Sequence, residues 1–138
     1  MEIEIQLRPE RIEPKPPEAR LAGPTGAWVQ FVGLVRGEEA GHPITALEYE
    51  AHSPMAEREM RRLLEDIAIR HPCLFTRVVH RIGVVPVAEA AVVVDVAASH
   101  RGEAFSLLTE FMDRLKVDVP IWKCRALTHT GWEEIQRP

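Results

Sequence analysis

The chain has 138 residues, 28% of them charged, and a net charge of −4, which predicts one globular domain over residues 1–138. The acidic balance argues against a nucleic-acid partner, and the short apolar runs and an N-terminus unlike a signal peptide predict no membrane segment. Cys73 and Cys124 form neither a CxxC pair nor a disulfide framework, so we expect reduced thiols in the cytoplasm.

The first fifty residues predict three strands. Ile and Leu alternate with Glu and Gln over residues 2–7, which is typical of a half-buried strand. Five prolines in residues 8–24 predict a Pro-rich connector, with one helical turn near 18–21. A glycine-containing loop is predicted at 36–43. Segments rich in β-branched and aromatic residues flank this loop and are predicted strands: 26–35 and 44–51.

An amphipathic helix is predicted after these strands. Ser53 is the expected N-cap and Pro54 the first helical residue, and Pro72 ends the helix. Apolar residues at helical spacing predict its buried stripe: Ala56, Met60, Leu63, Leu64 and Ile67.

Two more strands and a second helix follow. The strands are expected at 74–82 and 90–98, around a turn at 83–86, and the helix at 102–115. Four apolar residues are predicted to face inward from this helix: Phe105, Leu108, Met112 and Leu115.

The C-terminal region predicts one extended segment and a tail. Because Pro120 cannot donate to a sheet ladder, residues 119–124 predict an edge or terminal strand. Residues 126–138 are expected to form a short C-terminal tail. Strands outnumber helices and several are joined by short turns, which favours an α+β fold with a largely antiparallel sheet.

Positive charge at the ends of predicted elements is the main chemical signal. The sequence has no phosphate-binding glycine loop, and its six His are scattered singly, so no metal site is expected. Five cationic residues lie at or beside the ends of elements: Arg36, His100, Arg101, Lys116 and Lys123. Arginine binds anions through paired hydrogen bonds, and the pKa of a half-buried lysine shifts readily. The pattern favours an anion-binding domain, with an enzyme as one interpretation.

Each of these cations also has an ordinary structural explanation. Arg36 is explained as a solvated loop cation, Lys116 by its favourable place at a helix C-terminus, and Lys123 as an edge residue. His100 and Arg101 start a helix, where cations oppose the dipole, so a bound anion is slightly favoured there. The residues alone leave these alternatives open.

Five stretches of the sequence carry a resemblance to a known family. They are FVGLVR (31–36), LEYEAHSPMAEREM (47–60), HRIGVVPVAEAAVVV (80–94), SHRGEAF (99–105) and DRLKVDVPIWK (113–123). In this order they resemble the catalytic (large) subunit of molybdopterin synthase, and LK-x-x-VPIWK is the most specific of them. The resemblance implies a fold of the α/β hammerhead type, with a largely antiparallel sheet and two main helices.

The resemblance also implies an activity and partners. The activity is that of a sulfurtransferase of molybdenum cofactor biosynthesis, which converts cyclic pyranopterin monophosphate to molybdopterin. The sulfur comes from the C-terminal thiocarboxylate of a small ubiquitin-like carrier, whose Gly-Gly tail enters the active-site pocket. Two catalytic subunits form a homodimer, and one carrier at each end completes a heterotetramer. No metal or other cofactor is implied for this reaction.

The same resemblance assigns roles to individual residues. Lys116 matches the main catalytic lysine beside the carrier's terminal group, and Lys123 matches a second active-site lysine that also contacts substrate. Arg36 matches an arginine that lines the pocket. His100 and Arg101 match a pair that binds the anionic part of the substrate and can come from the partner protomer.

The sequence departs from the family pattern in two places. The family often has Asn after the strand-ending Arg, whereas residues 37–41 read Gly-Glu-Glu-Ala-Gly. The family commonly reads WKKE where residues 122–125 read Trp-Lys-Cys-Arg. We keep Cys124 and Arg125 as substrate-binding candidates, with Arg125 as a replacement cation. Cys124 beside Lys123 raises the hypothesis of a lowered thiol pKa, against the alternative of a bystander.

Two alternative functions remain open on the sequence. A non-catalytic homologue would dock a ubiquitin-like carrier or bind a phosphorylated ligand without turnover. A lysine-dependent enzyme of another class would form a Schiff base with a carbonyl substrate through Lys116. Retention of both Lys116 and Lys123, together with His100 and Arg101, favours sulfur transfer.

Overall fold

The protein is described here by a computed structural model that covers residues 1–136. This range holds ten strands: β1 (Glu2–Arg8), β2 (Ala27–Leu34), β3 (Glu38–Glu39), β4 (His42–Pro43), β5 (Ala46–Ala51), β6 (Phe75–Arg81), β7 (Gly83–Pro86), β8 (Ala90–Ala98), β9 (Ile121–Thr128) and β10 (Gly131–Glu134). Its helices are α1 (Met55–Arg70), α2 (Arg101–Asp118) and a 3₁₀ turn at Glu18–Arg20, where one helical turn is predicted.

Two four-stranded sheets make up the fold. The first has the strand order β1-β6-β8-β2 and the second β10-β9-β5-β7, while β3 and β4 form a separate hairpin. Within the described range β1 and β6 pair in parallel and the other ladders are antiparallel. The predicted α+β class is confirmed, with the strands divided between two sheets.

Both helices pack on one face of the first sheet. The predicted stripe of α1 is completely buried and belongs to the same core cluster as Val92, Val94 and Val96 of β8. Burying one large aliphatic side chain contributes about 1.5–3 kcal/mol, so this layer is the main source of stability.

Neither α1 nor α2, the two α-helices of residues 1–136, combines the length and apolarity that a membrane crossing requires.

The start of α1 differs from the prediction. Pro54 occupies the N-cap position, and Ser53 gives the backbone no side-chain cap. The Ser53 hydroxyl instead donates to Glu57 Oε2 at 2.7 Å. The Ser53 hydroxyl is therefore directed to a carboxylate one turn into the helix and does not cap the backbone.

The buried face of α2 is also rotated from the predicted one. Phe105 is 55% exposed, and Leu108 and Met112 are only partly buried. The residues of α2 that are fully or nearly fully buried are Ala104, Leu107, Phe111 and Leu115. Apolar side chains occupy two neighbouring stripes of this helix, so periodicity alone does not choose between them. The small Ala104 side chain lets α2 approach the core closely on the chosen stripe.

The central strand β8 is buried along all nine residues, because the helices cover one face and the Pro-rich connector lies across the other. Its one charged residue, Asp95, is completely buried. The Asp95 carboxylate accepts hydrogen bonds from Trp28 Nε1 at 2.8 Å, Gln30 Nε2 at 3.0 Å and Arg77 Nη2 at 3.0 Å. Gln30 and Arg77 also donate to the Lys15 carbonyl, which ties the connector to the sheet.

The second sheet corrects three predictions. Residues 83–86, predicted as a turn, form β7, because Gly83 with φ of 82° lets the chain leave the first sheet and pair with β5. The strand predicted at the edge is β9, which lies between β5 and β10. Pro120 precedes β9, so its missing N–H removes no ladder bond. The predicted tail begins inside β9 and contains β10, and its last two residues, 137 and 138, lie outside the described range.

We expect Asp95→Ala to lower the free energy of unfolding by about 3–5 kcal/mol, because it leaves buried donors and the Arg77 charge without their acceptor. Urea unfolding followed by tryptophan fluorescence measures the change. Asp113→Ala, the same substitution on the exposed face of α2, is the control and should have little effect. Equal effects of the two substitutions would contradict the central role of Asp95.

Candidate active site

Arg36 lies just beyond the end of β2, at the entrance to the β3–β4 hairpin. Its side chain is exposed and makes no hydrogen bond or ion pair with residues 1–136. The segment predicted as a loop closes through Ala40 and Gly41, whose φ values of 51° and 81° are those of a two-residue hairpin turn. The hairpin fixes the path of the chain directly after Arg36.

Lys123 meets this hairpin from the second sheet. It lies in β9 opposite Tyr49 of β5, and its Nζ is 3.1 Å from Glu39 Oε2 and 3.3 Å from Glu39 Oε1. The Lys123 side chain is 40% exposed and that of Glu39 is 23% exposed. The fold therefore brings Lys123 and the segment after Arg36 together, as an ion pair that solvent still reaches.

A layer of neutral aromatic groups adjoins Lys123. The ring of Tyr49 meets that of His80 edge-on, with ring centres 5.3 Å apart. Burial, with the nearby Glu39 charge, raises the pKa of Tyr49 to about 12. Burial also lowers the pKa of His80, although its hydrogen bond with the Arg81 carbonyl opposes this shift. Both groups are therefore uncharged near neutral pH, so Glu39 carries the negative charge on this side of Lys123.

Arg125 is bound to a carboxylate of its own. A bulge between Glu48 and Tyr49 places Arg125 opposite Glu48. Its Nε and Nη2 donate to the two Glu48 oxygens at 2.7 and 2.8 Å, and its guanidinium lies 4.8 Å from the Trp132 ring centre. These hydrogen bonds lower the pKa of Glu48 to about 2. Two of the five N–H donors of Arg125 are therefore committed to Glu48, which leaves only the others for a substrate anion.

Cys124 contradicts the hypothesis of an activated thiol. Burial, followed by the hydrogen bond and negative charge of Glu48, raises its pKa to about 12. Its Sγ lies 3.1 Å from Glu48 Oε1. One possible ligand atom from each of Glu48, Glu50 and Cys124 lies within 4.8 Å of the others, the spacing of a metal site that the sequence analysis did not identify. Arg125 already occupies both Glu48 oxygens, so a cation there would have to displace it.

Lys116 lies in the last turn of α2, exposed and with no ion pair in the described part of the chain. A two-residue connection joins β8 to α2, so α2 folds back along the sheet on which it packs. Its 18 residues span about 27 Å, close to the length of β8. The C-terminal end of α2 therefore lies towards the end of the sheet where Arg36 follows β2.

His100 and Arg101 lie at the opposite end. They follow Ala98, which pairs with Ala27 at the start of β2. The eight residues of β2 separate this end from Arg36 by about 25 Å. One chain therefore does not bring the five predicted cations together: the topology places Arg36, Lys116 and Lys123 towards one end of the molecule and the His-Arg pair towards the other.

The position of the His-Arg pair is set by a close backbone approach. A side chain at Gly26 would lie 2.3 Å from the Ser99 carbonyl oxygen, so only glycine fits beside this segment.

Next to the His-Arg pair is a cleft of about 240 Å³, lined by Pro72, Cys73, Leu74, Ser99, His100 and Glu103. Burial raises the pKa of the Cys73 thiol to about 11, so this cysteine is also protonated near neutral pH.

These observations define an α+β protein with three of the predicted cations towards one end and a separate His-Arg pair at the other. The family described as MoaE protein matches residues 7–118. The molybdopterin synthase catalytic subunit of Homo sapiens is 42% identical over 98 residues, which cover 71% of this chain and 52% of that protein. That of Pyrococcus abyssi is 40% identical over 115 residues, covering 82% and 77%. The chain belongs to the MoaE protein family, and it spans about half the length of its mammalian relatives.

Solved structures agree with this assignment. Molybdopterin synthase from Staphylococcus aureus aligns with a TM-score of 0.80 and 32% identity, over 99% of this chain and 96% of that one. A protein–protein complex of subunits 1 and 2 of molybdopterin-converting factor from Helicobacter pylori aligns with a TM-score of 0.75. At 19% identity over 98% of this chain and 90% of that one, the second similarity shows the fold alone.

We expect Cys124 to react slowly with iodoacetamide at pH 8, about a thousandfold more slowly than an ordinary thiol, because so little thiolate is present. Glu48→Gln removes a negative charge and should speed the reaction. Peptide mass spectrometry measures Cys73 in the same sample as an internal control, which Glu48→Gln should not change. Rapid alkylation of Cys124 in the unmodified protein would restore the activated-thiol hypothesis.

Proposed function

We propose that this protein is a sulfurtransferase that converts cyclic pyranopterin monophosphate to molybdopterin. The sulfur comes from the C-terminal thiocarboxylate of a small ubiquitin-like carrier with a Gly-Gly tail. The observation that carries the proposal is the placement of Lys116 and Lys123 on either side of the α2–β9 turn, towards the end of the molecule where Arg36 follows β2. Family membership and the names of the relatives support it.

The chemistry needs positive charge at this end. The carrier's tail is an anion before and after transfer, and the substrate is a phosphate ester. In each transfer one carbon–sulfur bond to the carrier is replaced by one to the substrate. Water completes the carrier's carboxylate. The oxygen displaced from the substrate carbon leaves as water where it is a hydroxyl, and stays on the phosphate where the cyclic ester opens. Lys123 and Arg36 hold the anions through charge-assisted bonds of roughly 1.5–3 kcal/mol each, and Lys116 transfers protons as sulfur attacks the substrate.

The assembly supplies the remaining cations. We propose a homodimer in which His100 and Arg101 of one protomer reach the Lys116 and Lys123 end of its partner. The separation of about 25 Å within one chain supports a shared pocket, since a single chain does not bring the groups together. One carrier at each end then completes a heterotetramer. The proposal includes no metal or other cofactor and places the protein in the cytoplasm, with the two free thiols favouring a reducing compartment.

We expect Lys116→Ala to abolish formation of the dithiolene product while the carrier still binds, because the variant loses the proton-transfer group. The assay combines thiocarboxylated carrier with cyclic pyranopterin monophosphate and follows product by chromatography. Lys15→Ala, in the Pro-rich connector, removes the same side chain far from the site and should retain full activity. No product from the unmodified protein, with the carrier still bound, would favour a non-catalytic docking homologue.

A shared pocket predicts rescue between two inactive variants. Lys116→Ala and His100→Ala should each be inactive alone, yet mixed dimers contain one site with neither substitution. Random exchange of protomers should restore about a quarter of the unmodified activity. The measurement is activity after the two proteins are unfolded and refolded together, with native mass spectrometry to count mixed dimers. Mixed dimers without activity would place the whole pocket in one chain.

A further inference from the structure

Glu39 is the internal partner of the proposed active-site Lys123, and its carboxylate has the same chemistry as the terminal group of the carrier. We propose that Glu39 is a stand-in for the carrier's C-terminal carboxylate. It holds the Lys123 ammonium while the site is empty and is displaced when the anionic tail arrives. This inference rests on the proposed function, because it takes Lys123 to be a binding site for that tail.

The geometry of the pair fits a partner that can be exchanged. Both Glu39 oxygens lie within 3.3 Å of Lys123 Nζ, so the carboxylate covers the ammonium as an anionic ligand would. Both side chains remain partly exposed, which leaves a path for a competing anion. Ion pairs that solvent reaches are weak, so a tail with contacts of its own can replace Glu39.

The hairpin explains why Glu39 stays close to the lysine. Glu39 pairs with His42 across the turn, and the Ile44 N–H donates to the Gly37 carbonyl at 3.1 Å to close the base. Ala40 has φ of 51°, a left-handed conformation that is unfavourable for alanine. The backbone pairing that closes the hairpin does not involve the Glu39 carboxylate, so this side chain can leave Lys123 without breaking it.

The distribution of carboxylates singles out Glu39 at this end of the molecule. Glu38, its neighbour on the hairpin, is exposed and has no hydrogen bond or ion pair within residues 1–136. Arg36 and Lys116 likewise have no carboxylate partner in that range. Of the three cations grouped here, Lys123 is thus the one held by an internal anion.

The test compares two forms of the carrier subunit from the source organism, one ending in a free carboxylate and one ending in an amide. Calorimetry at low salt measures the affinity of the full-length protein for each form. Glu39→Gln should bind the carboxylate form about two- to fivefold more tightly and the amide form unchanged. The gain should shrink in 1 M salt, where charges are screened within about 3 Å. Glu38→Gln, the matched control, should change neither affinity.

The Lys123→Ala variant shows whether a negative result concerns the role proposed for Lys123 or only the role proposed for Glu39. If the unmodified protein binds both forms equally and Lys123→Ala alters neither, Lys123 does not hold the tail, and both its assigned role and the stand-in role fail. If Lys123→Ala removes the preference for the carboxylate but Glu39→Gln leaves the affinity unchanged, the stand-in role alone is wrong. Weaker binding by Glu39→Gln would also overturn it, because it would show that Glu39 positions Lys123 for the tail.

Discussion

The buried Asp95 carboxylate and its donors hold the first sheet together. Burying a charge is costly unless hydrogen bonds satisfy it, and Asp95 meets this condition through Trp28 and Gln30 on β2 and Arg77 on β6. The donors lie on the strands that flank β8, so the interaction sets the order β6-β8-β2 and its register. Bonds to the Lys15 carbonyl then draw the connector over the face that the helices leave open. With both faces covered, β8 can be almost wholly apolar.

The register of β2 against β8 decides where the cations lie. Because the two strands are antiparallel, Arg36 and the His100–Arg101 pair leave the sheet at opposite ends. The short connection to α2 then returns Lys116 towards the end that Arg36 occupies. The register of the core strands thus places the His-Arg pair at the other end of the sheet from Arg36, and in the proposed reaction a second copy supplies that pair. This gives a physical reason for a dimer in the proposed reaction.

Local patterns in the sequence predict the parts of this structure that depend on a single element. The apolar run of β8, the stripe of α1 and the turn near residue 18 follow from periodicity and proline content. The positions of β7 and β9 in the second sheet cannot be predicted from local patterns, because each position depends on which distant strand the segment pairs with. Glu39 and Glu48 show the same limit: nothing local in the sequence identifies their partners, and only the hairpin and the register of β9 against β5 pair them with Lys123 and Arg125.

The way carboxylates are distributed among these cations bears on which of them can hold a ligand. Two short hydrogen bonds to Glu48 hold Arg125, and its guanidinium stacks on Trp132. Its positive charge therefore stabilises contacts within the second sheet. Lys123 has a longer contact with Glu39, although the side chains of the two ion pairs are similarly exposed, at 40% and 23% for Lys123 and Glu39 and 41% and 20% for Arg125 and Glu48. An anion entering this end therefore meets Lys116, which has no ion pair within residues 1–136, and Lys123, whose contacts with Glu39 are longer than those of Arg125 with Glu48. By sequence position Cys124 takes the place of the second lysine in the family's common WKKE, and Arg125 takes the place of its glutamate. Because Arg125 is already paired with Glu48, the proposed site rests on Lys116 and Lys123.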